Sequence, residues 1–224
     1  WGFDIHNPVF GISAGLVVFC LISLLLVEPT TARDVLNGLK NGIIEQFDAF
    51  FMWSTNFFLL FAVALLFSPL GKIRLGGKEA TPDHSTVSWL SMLFAAGMGI
   101  GLLFWSVAEP TAYFTDWWGM PLNAVPYTEE AKSLAMGATM FHWGVHGWSI
   151  YALVALALAF FAFNKGLPLS LRAAFYPIFG DRAWGWLGHV IDILAVLSTL
   201  FGLATSLGLG AQQATSGINH VFGL

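Results

Sequence analysis

Between His142 and Tyr151 the chain reads His-Trp-Gly-Val-His-Gly-Trp-Ser-Ile-Tyr, a run that places three large aromatics and two imidazoles close together. Drawn as a helix at about 100° per residue, Trp143, Trp148 and Tyr151 share a sector of about 140°, with His142, His146 and Ser149 opposite. Aromatic faces attract a poorly hydrated cation, and a trimethylated nitrogen has no donors left to satisfy. Such a cation–π contact is worth about 2 kcal/mol or more once water is excluded. The same pattern also serves as an interfacial aromatic belt or as ordinary helix packing, and the spacing alone leaves these open. His142 and His146, four residues apart, can share a metal, but the segment from Ser133 to Asn164 has no Cys, Asp or Glu to complete a ligand set. Hydrogen-bonded packing histidines, gating or proton-sensitive, fit the spacing better.

A second unusual run is Phe94-Ala95-Ala96-Gly97-Met98-Gly99-Ile100-Gly101-Leu102. Three alternate glycines cost a helix roughly 1 kcal/mol each relative to alanine, which makes this a poor ordinary membrane helix. It suits a helix that opens near the bilayer midplane and lends bare backbone to a ligand. Counting about 1.5 Å per residue from each segment's start brings the glycine run and the aromatic run to similar depth. Further along, Asp192 is a carboxylate in an apolar segment, for which an interfacial position is expected. Ser198, Thr199, Thr205 and Ser206 offer hydroxyls that suit either a hard cation or close helix packing. Glu109-Pro110 is expected to cap the glycine-bearing segment at its outer end.

The elements that must position these residues are apolar throughout. The chain has 224 residues, 57% hydrophobic and 10% charged, with a mean hydropathy of +0.73. That composition excludes an ordinary soluble domain and predicts an all-α integral membrane protein. A formal net charge of -4 with nine Lys and Arg provides no basic surface for nucleic acid. Cys20, the single cysteine, lies in an apolar run and reads as a small buried hydrophobe. The run from Val9 lacks a basic leader and a small-residue cleavage site, so no cleaved signal peptide is expected. The sequence begins at Trp1, and a trimmed chain is expected.

About five crossings are predicted: Val9 to Val27, Ala49 to Gly71, Ser85 to Ala108, Ser133 to Asn164, and Trp186 to about Gly210. The fourth would be about 48 Å long as one helix and must tilt or protrude from a core of about 30 Å. Residues 164–180, with Pro168 and Pro177, are expected to lie along the interface as a connector. Lys72, Arg74 and Lys78 fall in one loop and Lys165, Arg172 and Arg182 in the next loop on the same side. The opposite side holds only Arg33, Lys40 and Lys132, which predicts a cytoplasmic N-terminus.

Several ordered motifs are now on the page. The sequence Gly97-Met98-Gly99-Ile100-Gly101, then Ser106-Val107-Ala108-Glu109-Pro110, His142-Trp143 with Trp148 and Tyr151, Phe201-Gly202, and Ser206-Leu207-Gly208-Leu209-Gly210 resembles the betaine/choline/carnitine transporter family. Asn7-Pro8-Val9-Phe10 and Pro168-Leu169-Ser170-Leu171-Arg172 are similar to it as well. The resemblance covers essentially the whole chain but only the first five of the family's twelve spans. It implies a partial LeuT-like fold of inverted repeats. Residues 1–84 would be two helices outside the transport core, and 85–224 the first three helices of the first repeat.

The resemblance further implies a carrier, not an enzyme, in the inner membrane, active in osmoprotection and trimeric when full length. Trp143, Trp148 and Tyr151 match part of an aromatic box around a trimethylammonium group. Gly97, Met98, Gly99 and Gly101 match the unwound stretch that meets the substrate. Ala95 and Met98 match backbone ligands of a coupling sodium ion, and Thr199 matches one hydroxyl of a second sodium site, where Leu203 replaces the other expected threonine. Choline-selective relatives tend to be acidic at the position of Gly101, so glycine betaine is the expected substrate, imported by sodium symport. Proton-coupled or exchange-type carriage of choline or carnitine is the alternative within this class. A polytopic metalloenzyme using His142 and His146 is the alternative from another.

Overall fold

The computed structural model describes residues 8–97 and 99–223, and among them every regular element is helical. Met98, to which a substrate contact and a sodium contact were assigned, lies outside the described residues. The chain divides into two compact units. One holds the residues up to Lys78 together with Ile150–Leu200, and the other Glu79–Ser149 together with the segment from Phe201 onward. Both later cuts fall inside helices, so this division follows packing and leaves the repeat boundary at residue 84/85 as an expectation.

In the first unit, helix α1 (Val9–Leu26) has no charged residue, and its close is followed by Glu28-Pro29-Thr30-Thr31, a start signal for helix α2 (Pro29–Phe67). The Glu28 carboxylate accepts the backbone N–H groups of Thr30 and Thr31, each at 3.1 Å, and Pro29 fills the first turn, where its missing N–H costs nothing. These bonds, led by the one from the Thr30 hydroxyl, hold the exposed Glu28 carboxyl below its usual pKa. Helix α2 therefore starts at Pro29 rather than near Ala49. Its charged first half has no proline after Pro29 to stop it, and the apolar count alone could not see it.

Helix α2 ends at Ser68-Pro69, where the Ser68 hydroxyl accepts the Leu70 N–H of a 3₁₀ turn. The loop beyond is held by Asn164. Its side-chain amide donates to the Arg74 carbonyl at 2.9 Å, and its side-chain oxygen accepts the Gly76 N–H at 3.0 Å. The expected connector is present as two one-turn helices, α7 (Leu171–Ala174) and α8 (Tyr176–Phe179), followed by a 3₁₀ turn over Gly180–Trp184.

The connector packs against the start of helix α9 (Trp186–Phe222), whose first turn needs glycine at 188. A Cβ there would fall 1.8 Å from the Ala183 carbonyl oxygen. Arg172 is buried, and its Nε donates to Asp192 on α9 at 2.5 Å while its backbone N–H meets the other carboxylate oxygen. Asp192 is thus the partner of the connector's arginine. Each charge alone would be costly among apolar residues, so their opposite signs were the signal for pairing.

In the second unit, the third crossing is two helices, α3 (Thr86–Gly97) and α4 (Ile100–Phe114). The fourth begins at Glu129, capped by the Thr128 hydroxyl on the Ala131 N–H at 3.1 Å, and runs as α5 (Glu129–Trp143). It breaks at Gly144 and resumes as α6 (Val145–Ala159), closing in a π-helical turn over Phe160–Asn164. Helices α4 and α5 approach through Ala112, Ala131 and Ala135, all essentially inaccessible, because small side chains let the backbones meet. Four helical stretches among the described residues are long and apolar enough to cross a membrane, and at most 11% of the apolar window in any of them is buried. The third predicted crossing is missing from that count because the glycine run divides it into two shorter helices.

Candidate functional site

The second unit contains both helix breaks. At the first, α3 stops at Gly97, Gly99 is extended (φ -67°, ψ 178°), and α4 restarts at Ile100 with no side chain capping its N–H groups. The carbonyls that end α3 and the N–H groups that open α4 have lost their helical partners there. The Ala95 carbonyl oxygen is at this break, 4.0 Å from the point a Cβ on Gly99 would occupy.

The second break was not foreseen. Gly144 is extended (φ -86°, ψ -154°), and a Cβ on it would lie 2.5 Å from the Met140 carbonyl oxygen, closer than any real contact. Gly147 is similarly tight, 2.9 Å from the His142 carbonyl oxygen. Two glycines three residues apart between the aromatics were the signal. Read as interruptions of an unbroken helix they cost only propensity, whereas here they allow the start of α6 to tuck against the end of α5.

Around these breaks a cleft of about 800 Å³ is lined by Leu90, Ser91, Leu93 and Phe94 of α3, Leu102 of α4, and Trp143 and Trp148. Its wall is apolar and aromatic, with one hydroxyl. The Cη2 edge of Trp143 lies 3.9 Å from where a Cβ on Gly101 would be, an ordinary contact distance that brings the ring alongside α4. The indole N–H of Trp148 donates to the Trp143 carbonyl at 3.0 Å. Tyr151 belongs to the first unit and exposes 71% of its surface. Thr199 also belongs to the first unit, and its hydroxyl donates to the Ala195 carbonyl at 2.8 Å.

Glu109 corrects another expectation. It does not cap the end of a span: α4 continues through Pro110 to Phe114, and Glu109 is only 4% exposed. One carboxylate oxygen accepts the Trp143 indole N–H at 2.7 Å, and the other faces His142 Nδ1 at 2.5 Å. The division into an aromatic face and a histidine face therefore fails, since adjacent His142 and Trp143 turn to one carboxylate. His146 rests its ring against Phe141, centroids 4.4 Å apart. No group of three His, Cys, Asp or Glu able to hold a metal occurs among the described residues.

Residues 8–224 match the sequence profile of BCCT, the betaine/carnitine/choline family transporters. The chain belongs to this family. This BCCT chain is 96% identical over 224 residues to a glycine betaine/proline/choline/ectoine transporter of Vibrio parahaemolyticus serotype O3:K6, covering all of the chain and 40% of that relative. It is 65% identical to glycine betaine transporter 1 of the same organism, covering all of the chain and 43% of the relative. A glycine betaine transporter of Acinetobacter baylyi is 40% identical over 217 residues, 97% of the chain and 32% of its own length. The BCCT chain thus spans about two fifths of the length of the first two. Family and architecture together make it a stretch of multi-pass membrane transporter sequence and not an enzyme, which removes the metalloenzyme alternative.

Proposed function

We propose that this chain is part of a secondary transporter that imports a quaternary-ammonium compatible solute, foremost glycine betaine, by alternating access coupled to sodium. The observation that carries the reading is the cleft in which Trp143 and Trp148 face the two halves of a broken helix. Two opposite needs of a zwitterion meet there. The tryptophan faces suit the trimethylammonium group, and the uncapped N–H groups opening α4 suit the carboxylate, as half-helix N-termini do in other carriers.

Sodium enters as co-transported substrate. Of its expected ligands, the Ala95 carbonyl lies at the α3–α4 break, and terminal helix carbonyls are oxygen donors of the hard type that sodium takes. Thr199 is proposed for the second site. The names of the relatives extend the proposed range to choline, proline and ectoine. The last two carry no trimethylammonium, so the aromatic faces need not be matched by a fully alkylated nitrogen. Proton coupling is the second reading, and it rests on the His142–Glu109 contact.

A cytoplasmic N-terminus in the inner membrane, and a trimer at full length, complete the proposal. The orientation is supported by Asn164, which ties the loop bearing Lys72, Arg74 and Lys78 to the end of the fourth span next to Lys165. The test is uptake of radiolabelled glycine betaine into proteoliposomes by the full-length protein carrying this sequence, with a sodium or a proton gradient imposed separately. Sodium-driven uptake that falls in Trp143→Ala and Trp148→Ala is expected. Uptake indifferent to both substitutions would refute the aromatic site, and uptake driven by protons alone would refute sodium coupling.

A further inference from the structure

Glu109 is a buried carboxylate on α4, the second half of the predicted third crossing, and a carboxylate so placed usually marks function. Its two oxygens are committed to two neighbouring side chains of another helix. His142 and Trp143 are the last residues of α5 before the break at Gly144. The indole is bonded to α4 at one end and lies close to it at the other. Its N–H is on Glu109 Oε2 at 2.7 Å, and its far edge meets the bare backbone of Gly101. That hydrogen bond sets the direction of the indole N–H and so restricts how Trp143, which lines the cleft, is presented to it.

His142 adds the second bond that keeps the carboxylate from swinging. The Tyr113 ring, one helical turn beyond Glu109 on α4, lies 6.3 Å from the imidazole and closes that side. We infer that Glu109 is a positioning residue of the substrate site: it does not touch the solute but orients Trp143 toward it. This rests on the reading of the cleft as the substrate site.

The distinction between orienting Trp143 and merely supporting the fold can be measured in a double-mutant cycle, because a residue acting only through Trp143 loses its effect when that ring is gone. In the full-length protein, betaine KM and maximal rate are compared for Glu109→Ala, Glu109→Gln, Trp143→Phe, Trp143→Ala and the pair Glu109→Ala with Trp143→Phe. Phenylalanine keeps an aromatic face but has no N–H for Glu109 to hold. Loss of a buried charge-assisted bond predicts a KM rise of about tenfold for Glu109→Ala. The maximal rate should change less. Glutamine keeps an acceptor for the indole and a donor for a re-tautomerised His142, so Glu109→Gln should stay within about threefold of the parent.

In the Trp143→Phe background, Glu109→Ala should add nothing to KM. Additive effects, or a Glu109→Ala variant with unchanged KM, would overturn the inference even if Trp143→Ala abolishes binding. An unchanged KM in Trp143→Ala would instead overturn the substrate-site reading beneath it. Should the alanine variant not reach the membrane, Glu109→Asp replaces it. A carboxylate one methylene shorter cannot reach both donors, so KM should rise in the Trp143 parent and stay level in Trp143→Phe, with the opposite pattern again overturning the inference.

Discussion

The indole nitrogen of Trp148 donates to the backbone carbonyl of Trp143 at 3.0 Å, across the break at Gly144. Helix ends leave carbonyls without partners, and in a membrane water is not there to satisfy them. One aromatic of the cleft therefore closes the hydrogen-bond gap left by the other. Trp148 has two separable properties, a face and a donor. Trp148→Phe keeps a face and removes the donor, costing about 1 kcal/mol at the break and raising betaine KM severalfold. Trp148→Ala removes both, and uptake kinetics should show a KM at least tenfold higher than that of the parent. Equal effects of the two substitutions would mean that the donor alone matters.

Gly144 is required for steric reasons that do not apply to Gly137 on the same helix. A Cβ at 144 would meet the Met140 carbonyl oxygen at 2.5 Å, whereas one at Gly137 would meet nothing within 4 Å. Gly144→Ala should therefore displace α6 from α5 and lower both folded yield and uptake, while Gly137→Ala should be neutral or slightly stabilising. Size-exclusion profiles of the detergent-solubilised protein, together with uptake, distinguish the two. A normal Gly144→Ala variant would show that the break is not needed.

The Arg172–Asp192 pair fixes the connector to α9 with side chains only 5% and 18% exposed. Arg172→Met leaves a carboxylate without its cation in apolar surroundings, a loss of about 3 to 5 kcal/mol. Adding Asp192→Leu removes the orphan and should restore most of the stability. Thermal melts of the single and double variants test this, and a double variant no more stable than the single would contradict it.

Gly101→Asp would put a carboxylate beside the Trp143 ring, since the Cβ position is 3.9 Å from Cη2. A fixed negative charge there favours a net cation over a zwitterion, whose own carboxylate it repels. Choline uptake should rise relative to betaine by about tenfold. Competition between the two labelled substrates measures the ratio, and an unchanged ratio would remove Gly101 from the selectivity determinants.

Much of this was legible in the sequence. Apolar length gave α1 and the crossing part of α2, and the density of glycine gave the break between α3 and α4, because both signals are local. The break at Gly144 was hidden because a helical wheel assumes the continuity that the break removes. Glu109 was misread for a related reason. Next to a proline it looks like a terminus, and only the two donors at the end of α5 show why a helix would carry a carboxylate past that point. The Arg172–Asp192 contact joins residues from different elements, and spacing along a chain does not report such pairs.

Asn164 has a consequence for how the protein enters the membrane. The bias of basic residues is a statistical preference that a few charges can tip, and here the margin between the two sides is small. The amide of Asn164 adds a condition of another kind, since its bonds to Arg74 and Gly76 can form only when both loops emerge on the same side. A hairpin inserted the wrong way would leave a donor and an acceptor of the loop unmatched. In either orientation of the whole protein, Asn164 requires these two loops to share a side.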